Sequence, residues 1–305
     1  MTLALIFPGQ GSQYVGMAGS LRDSEPAAAD VFALADETLG FSLSGLMLNG
    51  PADELTATRN AQPALLTHSV AALRVLGDRA GPPALAAGHS LGEFSAHVAA
   101  GTLSFQDALR AVRLRGELMF ATGQARAGTM AALLGLGDDA VREVCARVTA
   151  GVCVPANFNS AGQVVVSGDL AGVEELLGLA REAGARRAVR LNVSGAFHSP
   201  LMEPAAEGLH AFLNEIDFAD PAFPVISNAT AELVTTGTEA RNLLVRQLTS
   251  PVRWAESVGV MTSAGVDRFI ELGPGRVLST LNRRNAKGIS SIPLGETEDF
   301  NALEG

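Results

Sequence analysis

Lysine occurs once in this 305-residue chain, cysteine only twice, and no window approaches the run of about 18 apolar residues that a spanning helix needs. The lone Lys287 follows Ala286 rather than glycine, which excludes a Walker phosphate loop. Cys145 and Cys153 cannot build a disulfide framework and lack metal-ligand spacing, so a reducing compartment, the cytoplasm, is expected. Positive charge is also short. The 22 Lys and Arg residues against 32 Asp and Glu leave a net charge of −10, which argues against nucleic acid or an anionic membrane as the main partner. The N-terminal MTLALIFPGQGS has no basic region ahead of its short apolar stretch, so no signal peptide is expected.

What is present reads as a globular α/β chain, with 47% hydrophobic and 18% charged residues and 33 glycines for tight turns. An apolar run from Leu3 to Phe7 stops at Pro8-Gly9, as a buried parallel strand does on entering a loop. Amphipathic spacing predicts helices over 27–39 and 65–76, the second signalled by Pro63. A second apolar run at 84–87, a glycine-bracketed turn and helical spacing over 91–100 form one strand-turn-helix unit. Between 128 and 193 the texture changes to strand 129–136, helix 138–148, strands 152–158 and 163–167, helix 170–183 and strand 188–193. That βαββαβ order is the split ferredoxin-like plan. Strands at 223–227 and 268–272 then resume the first pattern. The expected fold is α/β: a large α/β-hydrolase-like domain with a parallel sheet, in pieces 1–127 and 196–305, interrupted by a small ferredoxin-like subdomain at 128–195.

Gly88-His89-Ser90-Leu91-Gly92 is the sharpest local feature. Gly-x-Ser-x-Gly between a buried strand and a helix is a nucleophile elbow, which presents a serine on a strained turn at a helix N-terminus. The serine needs a base, and five histidines are available. His68, His97 and His210 fall within helical patterns, and His89 should point away from its neighbour Ser90. His198 differs: it lies in a loop directly after the last strand of the small lobe, where catalytic groups are commonly presented. His89, Glu93 and His97 cannot share a helical face as metal ligands, because His89 precedes the helix. Gly9 and Gly11 begin a dinucleotide fingerprint, but Tyr14 takes the third glycine's place. Arg115 admits two readings, an ordinary surface arginine or a fork for a substrate carboxylate.

Taken in order, several motifs span nearly the whole chain. They are Phe7-Pro8-Gly9-Gln10-Gly11-Ser12-Gln13, Gln62-Pro63-Ala64, the elbow with Glu93, Arg115-Gly116, and Asn157 through Gln163. Phe197-His198-Ser199, Gln247-Leu248 and Glu271 through Gly275 complete the set. Together they resemble the malonyl-CoA:acyl carrier protein transacylases of fatty acid synthesis and the related acyltransferase domains of polyketide synthases. The resemblance implies Ser90 as nucleophile and His198 as base, oriented by the backbone carbonyl of Gln247 rather than by a carboxylate. It further implies an oxyanion hole from the backbone N–H groups of Gln10 and Leu91, and Arg115 on the malonyl carboxylate. Gln62 and Phe197 would line the pocket, with Phe197 resembling the aromatic residue of malonyl-selective relatives.

The implied reaction moves malonyl from malonyl-CoA to the phosphopantetheine thiol of an acidic acyl carrier protein through a malonyl-serine, with no bound cofactor and a monomeric chain. Docking that carrier needs a basic patch. Arg186, Arg187 and Arg190 form one candidate; Arg283, Arg284 and Lys287 form another. Three alternatives remain: a serine esterase or thioesterase, a non-catalytic carrier-docking protein, and an acyltransferase serving a polyketide carrier. The hydrolase order of serine, acid and C-terminal histidine is not matched, since His198 is followed by over a hundred residues.

Overall fold

The computed structural model describes residues 2–303. Its strands are β1 (Leu3–Phe7), β2 (Leu85–Gly88), β3 (Gly128–Leu134), β4 (Cys153–Ser160), β5 (Gln163–Asp169), β6 (Arg187–Arg190), β7 (Val225–Ile226), β8 (Leu233–Val234), β9 (Arg268–Leu272) and β10 (Ser290–Leu294). Six of them form one sheet in the order β10-β9-β1-β2-β7-β8, parallel except for the final β7–β8 pair. Central β1 shows why the sheet is covered on both sides. Leu3, Leu5 and Phe7 join one apolar cluster while Ala4 and Ile6 join another, the period-two alternation of a strand between two helical layers.

The remaining four strands form a separate antiparallel sheet, β4-β5-β3-β6. The helices Asp138–Ala146 and Leu170–Glu182 cover it through a cluster of its own that includes Leu133, Val144, Val166 and Leu176. A large parallel sheet with a small ferredoxin-like one is the expected fold class. β4 is stitched to the segment ahead of the helix Trp254–Ser263: the Phe158 N–H donates to the Val252 carbonyl at 2.9 Å, and the Val252 N–H to the Ala156 carbonyl at 2.8 Å. Among the described residues no helix is long and apolar enough to cross a membrane.

The chain departs from the expected elements in three places. The helix signalled by Pro63 runs Thr58–Leu76, so the proline sits inside it rather than at its start. Proline removes the N–H that would bond the carbonyl four residues back. Here that carbonyl, on Arg59, accepts instead from Arg113 Nη1 at 3.1 Å, which lets the helix run through. The strand expected over 223–227 contracts to Val225–Ile226, and β10 forms where no strand was anticipated.

Candidate active site

β2 ends on Gly88, and the chain turns through His89, Ser90 and Leu91 into the helix Gly92–Ala99. A methyl group on Gly88 would collide with the Gly92 backbone, and one on Gly92 with the Phe7 carbonyl, so the turn closes this tightly only with glycine at both places. Ser90 takes φ 51°, a left-handed conformation costing about 1–3 kcal/mol that the surroundings must hold in place. Asn228 does so. Its Oδ1 accepts from the Ser90 N–H at 2.6 Å and its Nδ2 donates to the Gly88 carbonyl at 2.6 Å.

His198 lies beyond β6, itself at φ 57° and buried. Its Nδ1 is 2.9 Å from the Gln247 carbonyl, and its Nε2 is 2.7 Å from Ser90 Oγ. A carbonyl only accepts, so Nδ1 carries the proton and the bare Nε2 receives the serine hydroxyl hydrogen. Burial, and then the positive charge of Arg115, hold this imidazole down to a pKa of about 3. It is therefore a neutral acceptor throughout the physiological range.

Arg115 is no surface residue, being 1% exposed within the helix Phe105–Ala125. Nη1 donates to Gln62 Oε1 at 2.7 Å, and Nη2 donates to Gln247 Oε1 at 2.9 Å and to Ser90 Oγ at 3.2 Å. Burial lowers its pKa to about 10, opposed by the charge of Glu93, and the cation persists. Gln62 was expected on the pocket wall. It is fully buried behind Arg115 instead, with Nε2 against Thr58 Oγ1 and Met119 Sδ, because its helix begins early and turns it inward.

These groups border a cleft of about 460 Å³ lined by Ser90, His198, Arg115, Gln10, Leu91 and Phe197, together with Met119, Met130, Val165 and Leu191. Among the described residues, neither the Gln10 nor the Leu91 backbone N–H has a protein acceptor. The Gln10 side chain accepts from Thr58 Oγ1 at 2.6 Å, which steadies its loop. His89 turns away from Ser90, as expected: its Nε2 is 2.8 Å from Asn159 Oδ1 and its ring lies against Trp254. No group of three His, Cys, Asp or Glu side chains among the described residues is placed to hold a metal ion. Both arginine groups are exposed and outside the cleft, though each adjoins a lip of it: Leu191 follows Arg190, and Leu281 precedes Arg283. Sequence reading missed the structural part played by Asn228 and Glu93. The buried Glu93 carboxylate accepts from Gln247 Nε2 at 2.6 Å and from the Asn228 N–H at 3.1 Å.

The chain is similar to known proteins over nearly its whole length. The chain is 47% identical over 298 residues to the malonyl CoA-acyl carrier protein transacylase of Bacillus subtilis, covering 97% of this chain and 94% of the relative. The protein of the same name from Escherichia coli K12 is 44% identical over 295 residues, covering 96% of each chain. Among solved structures, an acyl carrier protein S-malonyltransferase from Vibrio cholerae superposes with a TM-score of 0.96 at 43% identity, covering 99% of this chain and 100% of that one. A malonyl-transacylase solved with its type II polyketide synthase acyl-carrier protein gives 0.95 at 42%, covering 100% of this chain and 99% of that one. With the model for the acyl transferase domain matching residues 4–294, the chain belongs to the acyl transferase domain family.

Proposed function

We propose that this chain is a malonyl-CoA:acyl carrier protein S-malonyltransferase of fatty acid biosynthesis. One observation carries the reading: Ser90 Oγ lies within hydrogen-bond reach of both a neutral imidazole and a buried guanidinium. The first makes a nucleophile. The second places a carboxylate-binding cation close to where the acyl chain will be attached.

The steps follow from the parts. Ser90 Oγ attacks the thioester carbonyl of malonyl-CoA as its proton passes to His198 Nε2, giving a tetrahedral oxyanion. The Ser90 N–H is already engaged by Asn228, so the free N–H groups of Leu91 and Gln10 are the donors for that oxyanion. The carbon–sulfur bond breaks, the coenzyme A thiol leaves with the proton, and a malonyl-Ser90 ester remains. Arg115 holds the distal carboxylate, one methylene beyond the ester carbonyl, and Phe197 packs the pocket wall. The phosphopantetheine thiol of the carrier protein then gives its proton to His198 and takes the malonyl group, and Ser90 is regenerated. Gln247 keeps the base in the required tautomer through its backbone carbonyl.

The acyl groups are carried by substrates, so no bound cofactor enters the scheme. The exposed Arg283, Arg284 and Lys287 beside the cleft suit an acidic carrier protein. A monomer divided at 1–127, 128–195 and 196–305, working in the cytoplasm, fits the same reading, as do the free thiols of Cys145 and Cys153. A polyketide carrier is the second reading, favoured by the 42% identical transacylase solved with such a carrier. A plain esterase has no use for a buried guanidinium aimed at its nucleophile.

Intact-protein mass spectrometry after brief mixing with malonyl-CoA tests the proposal, beside acetyl-CoA and a Ser90→Ala control. A malonyl adduct absent from the control and discharged by holo carrier protein is expected. An adduct formed equally from acetyl-CoA, or lost to water as fast as to the carrier, would refute it.

A further inference from the structure

Among the described residues, Glu93 is the one acidic side chain of this centre that the reaction scheme leaves without a task; burial pushes its pKa up to about 7, opposed by its hydrogen bonds with Gln247 and Asn228 and by the charge of Arg115. Fully buried on the first turn of the helix after the elbow, it touches no cleft surface. Both of its hydrogen bonds fall on one oxygen, Oε2, which accepts from Gln247 Nε2 at 2.6 Å and from the Asn228 N–H at 3.1 Å. Its Oε1 has no partner among the described residues.

The Gln247 side chain is the part that matters. Its Nε2 spends both hydrogens, one on Glu93 and one on the Ser90 carbonyl at 2.9 Å, which leaves Oε1 facing Arg115 Nη2 at 2.9 Å. Rotating this amide by half a turn would set its oxygen against a carboxylate and a carbonyl, and its NH2 against a guanidinium. Every contact would then be repulsive. The Ser90 carbonyl and the Arg115 cation favour the observed orientation too, and Glu93 completes it with an acceptor on a fully buried carboxyl, where a hydrogen bond counts for more than it does in water. We infer that Glu93 is a positioning residue, which fixes the orientation of the Gln247 amide and so aims the Arg115 guanidinium toward the acyl carboxylate. This rests on the malonyl-transfer reading for its substrate. A purely structural part, as a negative charge at a helix N-terminus, predicts lost stability without any change in acyl preference.

The two are separated by Glu93→Leu, which removes the acceptor, and Glu93→Gln, which can still offer one oxygen where Oε2 stands. Acylation of Ser90 by malonyl-CoA and by acetyl-CoA is followed by mass spectrometry. Glu93→Leu should raise KM for malonyl-CoA roughly 10- to 100-fold, the range of one hydrogen bond to a charged group, with kcat changed less. Acetyl transfer, which has no distal carboxylate to clamp, should change no more than about threefold on the same scale. Glu93→Gln should restore most of the malonyl preference. Equal losses for both acyl groups, or no recovery in Glu93→Gln, overturn the assignment. Should Glu93→Leu fail to fold, Glu93→Asp keeps the carboxyl but withdraws it from Gln247. It should raise the malonyl-CoA KM selectively, and an unchanged KM overturns the assignment. NMR of the Gln247 side-chain amide separates this from the function itself. Its protons should lose exchange protection in Glu93→Leu and keep it in Glu93→Gln, whichever acyl group is the substrate. Unchanged protons sink the role of Glu93 alone, and a wild-type protein that takes no malonyl sinks the transfer reading alone.

Discussion

Replacing Arg115 with glutamine should change the acidity of a residue that it does not touch. Arg115 Nη2 and His198 Nε2 are both bonded to Ser90 Oγ, at 3.2 and 2.7 Å, so the two charges lie within about 6 Å of each other when the imidazole is protonated. At an effective dielectric constant of about 20, two like charges at that separation repel by about 3 kcal/mol, or about two pH units. The cation disfavours protonated His198, so removing it must raise the pKa of the base. Burial is the larger cause of the depressed value, and glutamine leaves that in place. From about 3 in the native protein, the base should therefore move to about 5.

A fluorophosphonate provides the assay, because it labels Ser90 through the same base and carries no carboxylate for Arg115 to hold. Its second-order rate constant should stay flat in the native protein as pH falls from 8 to about 4, whereas an ordinary histidine base would lose half its rate near pH 6.5. In Arg115→Gln the same curve should fall with a midpoint near 5. A variant curve that remains flat to about pH 4 would show that the guanidinium does not control the base.

Three further outcomes follow. Gly92→Ala forces a methyl group onto the Phe7 carbonyl, a backbone atom that cannot swing aside, and should cost about 1–3 kcal/mol or more in thermal unfolding while slowing Ser90 labelling. His97 is fully buried with no partner on either ring nitrogen among the described residues, and burial holds its pKa down to about 3. A histidine pKa lowered by folding gives stability that is present above the unfolded value near 6.5 and drains away as pH drops toward 3. His97→Leu should flatten the pH dependence of denaturant unfolding in that window by roughly 1.4 kcal/mol per pH unit, and an unaltered slope refutes this. Replacing Arg283 and Arg284 together by glutamate should raise KM for the carrier protein several-fold and leave that for malonyl-CoA unchanged. An unchanged carrier KM removes this patch from the docking account.

Much of this was legible in the sequence, for reasons that are steric and periodic. The elbow could be read because only glycine tolerates the contacts at positions 88 and 92, and the small lobe because its strands and helices alternate cleanly. Arg115 was ambiguous since Arg110, Arg113 and Arg115 share one amphipathic helix, and which of them points inward depends on packing partners that the helix itself does not specify. Arg113 in fact spans Glu117, Asn60 and the Arg59 carbonyl near the surface, and by doing so conceals the true start of the helix that holds Pro63. Asn228 and Glu93 had no local signature of their role. Each is a single polar residue whose meaning appears only when the end of β7 comes beside the elbow, 135 positions away in the chain. β10 was missed because it is a short, half-buried edge strand without the long apolar run that marks a central one.

The place of β1 has a consequence in time as well as in space. It lies between β2 and β9, with Ala4 paired to Leu85 on one side and to Phe269 on the other. The second pairing joins residues some 265 positions apart, a loop closure that a growing chain cannot make until nearly all of it has been synthesised. Ser90 leaves the ribosome early, His198 later, and the strand that completes the sheet beneath them almost last. The nucleophile thus exists long before the environment that activates it, and reactivity arrives only as the molecule is finished.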